Sequence, residues 1–206
     1  MRTLLIALVL ISSSVQAQQL EQFNSERLEI DKKLMLTLGG WSLANATVSA
    51  IGWARTENEA KYFHQMNTIW SAIDLALAIP GYFKARKADP SSFTFAESWK
   101  EQSRSEKTFL FNTALDVAYV SSGLYLRSMA KYDPGTYQQN RGFGNGIILQ
   151  GGFLFLFDLT AYALHSAHRK NKLDGFLDKV DLSDNGLGIQ YKLGNFKTYE
   201  RSIVEL

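Results

Sequence analysis

Long apolar stretches alternate with short charged ones along this chain, and the alternation predicts its elements before any single residue is weighed. Residues 34–54 contain no Asp, Glu, Lys, Arg or His. Residues 62–83 carry formal charge only at Asp74, residues 108–126 only at Asp116, and residues 142–164 only at Asp158. Each stretch is long enough to cross the hydrocarbon layer of a bilayer as an α-helix, which takes about 20 residues. A water-soluble four-helix bundle needs a charged outer face on every helix, and these stretches lack the charges to make one. The expected fold is an all-α membrane protein: a four-transmembrane-helix antiparallel bundle over residues 34–168, with a polar segment at 18–33 before it and a short soluble C-terminal tail at 169–206 after it.

The flanks sharpen this picture. Arg2, the apolar run over residues 4–11 and Ser12-Ser13-Ser14-Val15-Gln16-Ala17 form the charged, apolar and small-residue regions of a secretory signal peptide over residues 1–17, cleaved after Ala17. That apolar run is too short to anchor a chain in a membrane. Trp41, Trp53, Tyr62 and Tyr82 stand where interfacial aromatics are wanted, and Lys84-Ala85-Arg86-Lys87, Asp133-Pro134-Gly135 and Arg169-Lys170-Asn171-Lys172 punctuate the ends. Residues 88–107 place Phe95 and Trp99 one helical turn apart, a spacing that suits a short interfacial helix and a polar loop equally. In the tail, Leu187, Ile189, Tyr191 and Leu193 alternate with Gly and polar residues as a strand does. A β-hairpin with residues 196–206, or packing on the bundle, would give that strand a partner.

Within the apolar stretches the polar residues are not scattered. Asn45, Asp74 and Asp116 are each followed seven residues later by glycine, at Gly52, Gly81 and Gly123, and Asp158 has His165 at that offset. Seven residues is close to two helical turns, so each pair shares one face. Ser42 and Ser49 join Asn45; His64, Asn67 and Ser71 join Asp74; Asn112 and Tyr119 join Asp116; Gly144 and Gly151 join Asp158. The resulting intramembrane polar cluster comprises Asn45, His64, Asn67, Ser71, Asp74, Asn112, Asp116, Asp158 and His165.

Two explanations compete for it. Small and amide side chains let helices approach closely and hydrogen-bond in lipid, at roughly 0.6–2 kcal/mol per bond. An acid at the bilayer centre costs at least about 2.5 kcal/mol, so three of them exceed what adhesion requires and point to a proton or cation site. No Lys or Arg lies in mid-stretch to neutralise them, so some are expected to be protonated and bonded to Asn45, Asn67 or Asn112.

Charge and composition then remove whole classes of function. Lys plus Arg number 22 against 20 Asp plus Glu, and the net charge of +2 becomes +1 when residues 1–17, whose one charge is Arg2, are set aside. There is no basic excess for nucleic acid. The absence of cysteine excludes disulfides, thiolate chemistry and thiolate metal sites. His165 and His168 are three apart but sit beside Arg169 and Lys170, as boundary residues do, so no metal is expected there. No Glu lies inside any stretch, which excludes the di-iron bundle pattern, and Gly142-x-Gly144-x-Gly146 follows no strand, which excludes a phosphate loop. No nucleophile, base and orienting acid recur in a hydrolase arrangement, so neither an enzyme nor a cofactor is expected.

Tyr62-Phe63-His64-Gln65-Met66-Asn67, followed by Trp70 and Asp74 and preceded by Gly40-Trp41-Ser42-Leu43-Ala44-Asn45, resembles an uncharacterised family of small membrane proteins from Bacteroidota-type bacteria. The resemblance covers residues 27–168 and carries no known activity. It implies a bacterial membrane, and with the signal peptide the expected location is the inner membrane after export. The expected partners are the lipid bilayer and either a membrane-protein partner, a second copy of the chain, or a proton or cation. The functional expectation is a membrane-embedded scaffold or assembly partner, with a small proton- or cation-coupled carrier as the alternative. Orientation is contested: the signal peptide places residues 84–107 and the tail outside, while the positive-inside rule places them inside, because Lys84, Arg86, Lys87, Lys100, Arg104 and Lys107 gather there.

Overall fold

A computed structural model of the chain describes residues 2–174, 180–183 and 186–189, with side chains over residues 17–174. Four long helices account for most of it: α1 (Arg2–Arg55), α2 (Asn58–Lys87), α3 (Phe95–Met129) and α4 (Tyr137–Arg169). The breaks between them follow from local chemistry. Asn58, where α2 begins, takes φ 55°, a left-handed conformation that asparagine tolerates better than most residues. Lys84, Arg86 and Lys87 crowd the last turn of α2, where cations complement the helix dipole. Asp89 then accepts from the Ser91 backbone N–H at 3.0 Å and turns the chain through a 3-10 turn, Pro90–Ser92. A capping box opens α3: Glu97 N–H donates to Thr94 Oγ1 at 3.3 Å, and Thr94 N–H donates to Glu97 Oε2 at 2.9 Å. After α3, Asp133 accepts from Gly135 N–H and from the Thr136 hydroxyl, which ends one helix and prepares the next.

All four helices outrun the apolar stretches they contain, α1 and α3 by far the most. α1 runs through the polar segment 18–33, and α3 begins at Phe95 and continues without a break, so residues 95–107 are not a separate interfacial helix. The polar parts stay helical because each gives the other partners. Asn24 Nδ2 donates to Ser98 Oγ at 2.9 Å, and the Arg27 guanidinium lies over the Phe93 ring at 5.2 Å. Together with the end of α2 they form a polar collar at one end of the bundle.

The distribution of side chains is inverted relative to a water-soluble bundle. Ser42, Ser49, Asn67, Ser71, Asp74, Asp116, Gln150 and Asp158 are buried, whereas Leu43, Val48, Leu77, Phe111 and Leu156 are each more than 60% exposed. The residues on α2 that turn inward are Asn67, Ser71, Asp74, Ala78 and Ala85, a three-, four- and seven-residue spacing that keeps one narrow face toward the neighbours. Two helical segments, Ala17–Arg55 and Tyr137–Asp174, are long and apolar enough to cross a membrane.

Residues from His168 onward form a second compact unit. Its described part holds a π-helical turn at Lys170–Asp174, where Arg169 Nη1 contacts both carboxylate oxygens of Asp174 at 2.9 and 2.8 Å. It also holds two short antiparallel strands, β1 (Val180–Ser183) and β2 (Gly186–Ile189), with Val180 opposite Ile189. Leu187 and Ile189 of the strand expected from the sequence thus pair with residues 180–182, and residues 190–193 and 196–206 lie outside the described residues.

Candidate functional site

The interior of the bundle is layered. At the end away from the collar, Glu59 on α2 ties down α4: Arg141 Nε lies 3.1 Å from Glu59 Oε2, Asn145 Nδ2 donates to Glu59 Oε1 at 2.7 Å, and Gln138 Oε1 accepts from Glu59 N–H at 3.1 Å. His64 sits near this end on α2, half-buried, with no hydrogen-bond partner for Nδ1 among the described residues. Its ring occupies the space where a side chain at Gly52 of α1 would have to go.

Next comes an amide layer shared by three helices. Gln150 Nε2 of α4 donates to Asn67 Oδ1 of α2 at 2.6 Å, and Trp41 Nε1 of α1 donates to Gln150 Oε1 at 3.2 Å. Asn45 Nδ2 reaches the same Asn67 oxygen at a long 3.5 Å and takes the Ser49 hydroxyl on its own Oδ1 at 3.2 Å. Asn67 Nδ2 completes the set by donating to the Phe63 carbonyl at 2.8 Å. Trp41 also stacks on Phe153, with ring centroids 4.1 Å apart.

Two turns further along α2, past the buried Ser71, stands the acid layer. Asp74, Asp116 and Asp158 come from α2, α3 and α4 and are 3%, 2% and 4% exposed. Asp116 and Asp158 are within hydrogen-bonding reach of each other, Asn112 is within reach of Asp158, and Asp74 is close to both other acids. Oδ2 of Asp74 and Oδ2 of Asp116 have no hydrogen-bond partner among the described residues, nor does Ser71 Oγ. No group of three or more His, Asp or Glu side chains among the described residues is arranged to hold a metal ion.

Toward the collar the polar stripe is interrupted. Leu34, Leu38, Ala78, Phe157 and Ala161 pack into an apolar layer, with Phe109 and Phe153 against it. His165 lies beyond this layer and so stands apart from the acids. It stacks on Phe109, with ring centroids 5.5 Å apart, and its Nε2 is 3.2 Å from Asp31 Oδ1 but too far out of line to form a hydrogen bond. The His165 carbonyl accepts from Gln102 Nε2 at 2.7 Å, and the same amide also donates to Glu106 at 2.9 Å.

Of the residues singled out from the sequence, the structure brings Asp74, Asp116, Asp158 and Asn112 into one layer and Asn45 and Asn67 into the next, with Ser71 between. His64 and His165 lie at opposite ends. Sequence reasoning missed Gln150, the residue that bridges α1, α2 and α4, because it falls one position before Gly151 and therefore off the seven-residue stripe. It is the one side-chain amide in residues 146–168, and that isolation was the available signal. Trp41 was assigned to a membrane boundary, whereas its indole N–H serves the interior.

Close approach of the helices holds these layers in register. A Cβ on Gly123 would stand 2.7 Å from the Gly144 carbonyl oxygen, and one on Gly144 would stand 2.6 Å from the Gly123 carbonyl oxygen, so α3 and α4 touch backbone to backbone there. Gly142 similarly meets the backbone of α2 at Glu59 and Phe63.

The chain has no match among curated proteins or solved structures. Residues 37–159, more than half of its length and the stretch that contains both the amide and the acid layers, match the family of unknown function DUF6992, and the chain belongs to that family.

Proposed function

We propose that this chain is an integral membrane protein whose four helices cross the bilayer as a rigid, membrane-embedded scaffold or assembly partner. The observation that carries the reading is the inverted distribution of side chains: Ser, Asn, Gln and Asp inside, Leu, Val, Ile and Phe outside. In water this arrangement forfeits about 1.5–3 kcal/mol for every large apolar side chain left exposed. In lipid it is the favourable one, because outward leucines are solvated by acyl chains and inward amides find partners. Inward polar residues such as Asn67, Ser71, Asp74 and Asp116 lower the average apolarity of α2 and α3, although their outward faces carry Ile73, Leu77, Phe111 and Val117. Rigidity is favoured by the backbone contact at Gly123 and Gly144 and by the apolar layer packed between the acids and the collar. Signal-peptide export to the bacterial inner membrane is the setting this reading takes. The test is extraction: expressed with an affinity tag, the chain should remain with the membrane pellet in alkaline carbonate and enter solution only with detergent. Release by carbonate alone rejects the reading.

A second reading, a proton- or cation-coupled carrier, is favoured by one observation, the unpartnered Oδ2 atoms of Asp74 and Asp116 inside the acid layer.

A further inference from the structure

The collar contains a cavity of about 460 Å³ between the polar part of α1, the end of α2 and the start of α3, a size typical of small-ligand pockets. Its lining changes character along its length. Met35, Gly81 and Phe109 form an apolar inner end at the level where the apolar stretches begin, and Arg27, Lys84 and Arg104 bring cations to the other end. Asp31 and Glu101 also line it, but both are engaged: Arg27 Nη1 lies 3.4 Å from Asp31 Oδ2, and Lys84 Nζ lies 3.8 Å from Glu101 Oε2. Three cations against two acids leave one positive charge in excess.

Arg27 is the informative residue. It is only 3% exposed, and its Nε and Nη2 find no acceptor among the described residues. A guanidinium carries donors and no acceptor, so the groups missing from its shell are oxygens. Burial lowers its pKa, while Asp31 and Glu101 oppose the shift. A buried arginine with idle donors beside a half-apolar cavity needs an acceptor that also brings a hydrocarbon portion.

We propose that this cavity binds an amphiphile through an oxyanion headgroup, the phosphate of a membrane phospholipid, with Arg27 and Arg104 on the phosphate and the glycerol and first methylenes lying toward Met35 and Phe109. The inference rests on the membrane reading above, and the two are separable, because residence in the membrane is read by carbonate extraction and headgroup binding by titration of the detergent-solubilised protein. Native mass spectrometry of the full chain in a non-ionic detergent, titrated with short-chain phosphatidylglycerol, should show one saturating adduct. Arg27→Gln and the exposed-site variant Arg104→Gln should each weaken it at least fivefold. Arg27→Lys should recover part of the loss, and Arg55→Gln at the far end of the bundle should bind as the parent does. If Arg27→Gln fails to fold, Arg104→Gln carries the test alone. Binding undiminished in the folded variants overturns the proposal. Inorganic phosphate competing as tightly as the lipid also overturns it, since that result marks a site for free phosphate.

Discussion

At the scale of single residues the question is what the three buried acids do. Asp74→Asn, Asp116→Asn and Asp158→Asn preserve shape and most hydrogen bonding while removing the group that can exchange a proton. Under the scaffold reading each variant should fold and retain the assembly role of the parent. Under the carrier reading at least one folded variant should lose proton-linked flux in reconstituted vesicles, so that measurement separates the two. A different residue-scale expectation concerns Gly123. Its Cβ-to-carbonyl approach to Gly144 leaves no room, so Gly123→Val should destabilise the bundle by about 1–3 kcal/mol, in the range of overpacked cores. Gly152→Ala, with nothing within 4 Å, should be neutral or mildly stabilising. Thermal unfolding of both in the same detergent checks the contrast. The acids and Gly123 stood out in the sequence because charge in an apolar stretch is conspicuous and seven-residue spacing is easily counted. Gln150 and the Glu59–Arg141 contact did not, because an amide just off the stripe and an ion pair between residues 82 positions apart declare themselves only once helices are placed side by side.

At the scale of elements, the start of α3 is the best-defined boundary. Thr94→Ala removes the hydroxyl that accepts from Glu97 N–H and should cost about 1 kcal/mol of local helix stability. Glu97 contributes in a pH-dependent way. The Thr94 backbone and side-chain hydrogen bonds lower its pKa, so its stabilising effect is complete above the unfolded-state value and is lost as pH falls through the lower folded-state value. Amide protection factors in the first turn of α3, taken relative to the intrinsic exchange rate at each pH, should fall in acid in the parent and be low at all pH values in Thr94→Ala. The apolar stretches gave the cores of the four helices in the sequence, and the polar extensions of α1 and α3 were the harder part. Residues 18–33 and 95–107 have the composition of loops and are helical because Asn24 meets Ser98 and Gln102 meets the His165 carbonyl, contacts between positions more than sixty apart.

At the scale of the whole molecule the interior has a direction. From the Glu59–Arg141 end a succession of amides and acids reaches the middle of the bundle, and there Leu34, Leu38, Phe157 and Ala161 close it off from the collar. Under the membrane reading that stack is an electrical insulator set off-centre. A voltage across a bilayer falls most steeply where the material is least polarisable, and moving one elementary charge through the full drop is worth about 2.3 kcal/mol per 100 mV. Most of that drop would lie between the acid layer and the collar, so the acids would sit at nearly the potential of the Glu59 face. A carrier working through these acids would then have to exchange its proton or cation on the Glu59 side, because the apolar layer stands between them and the collar.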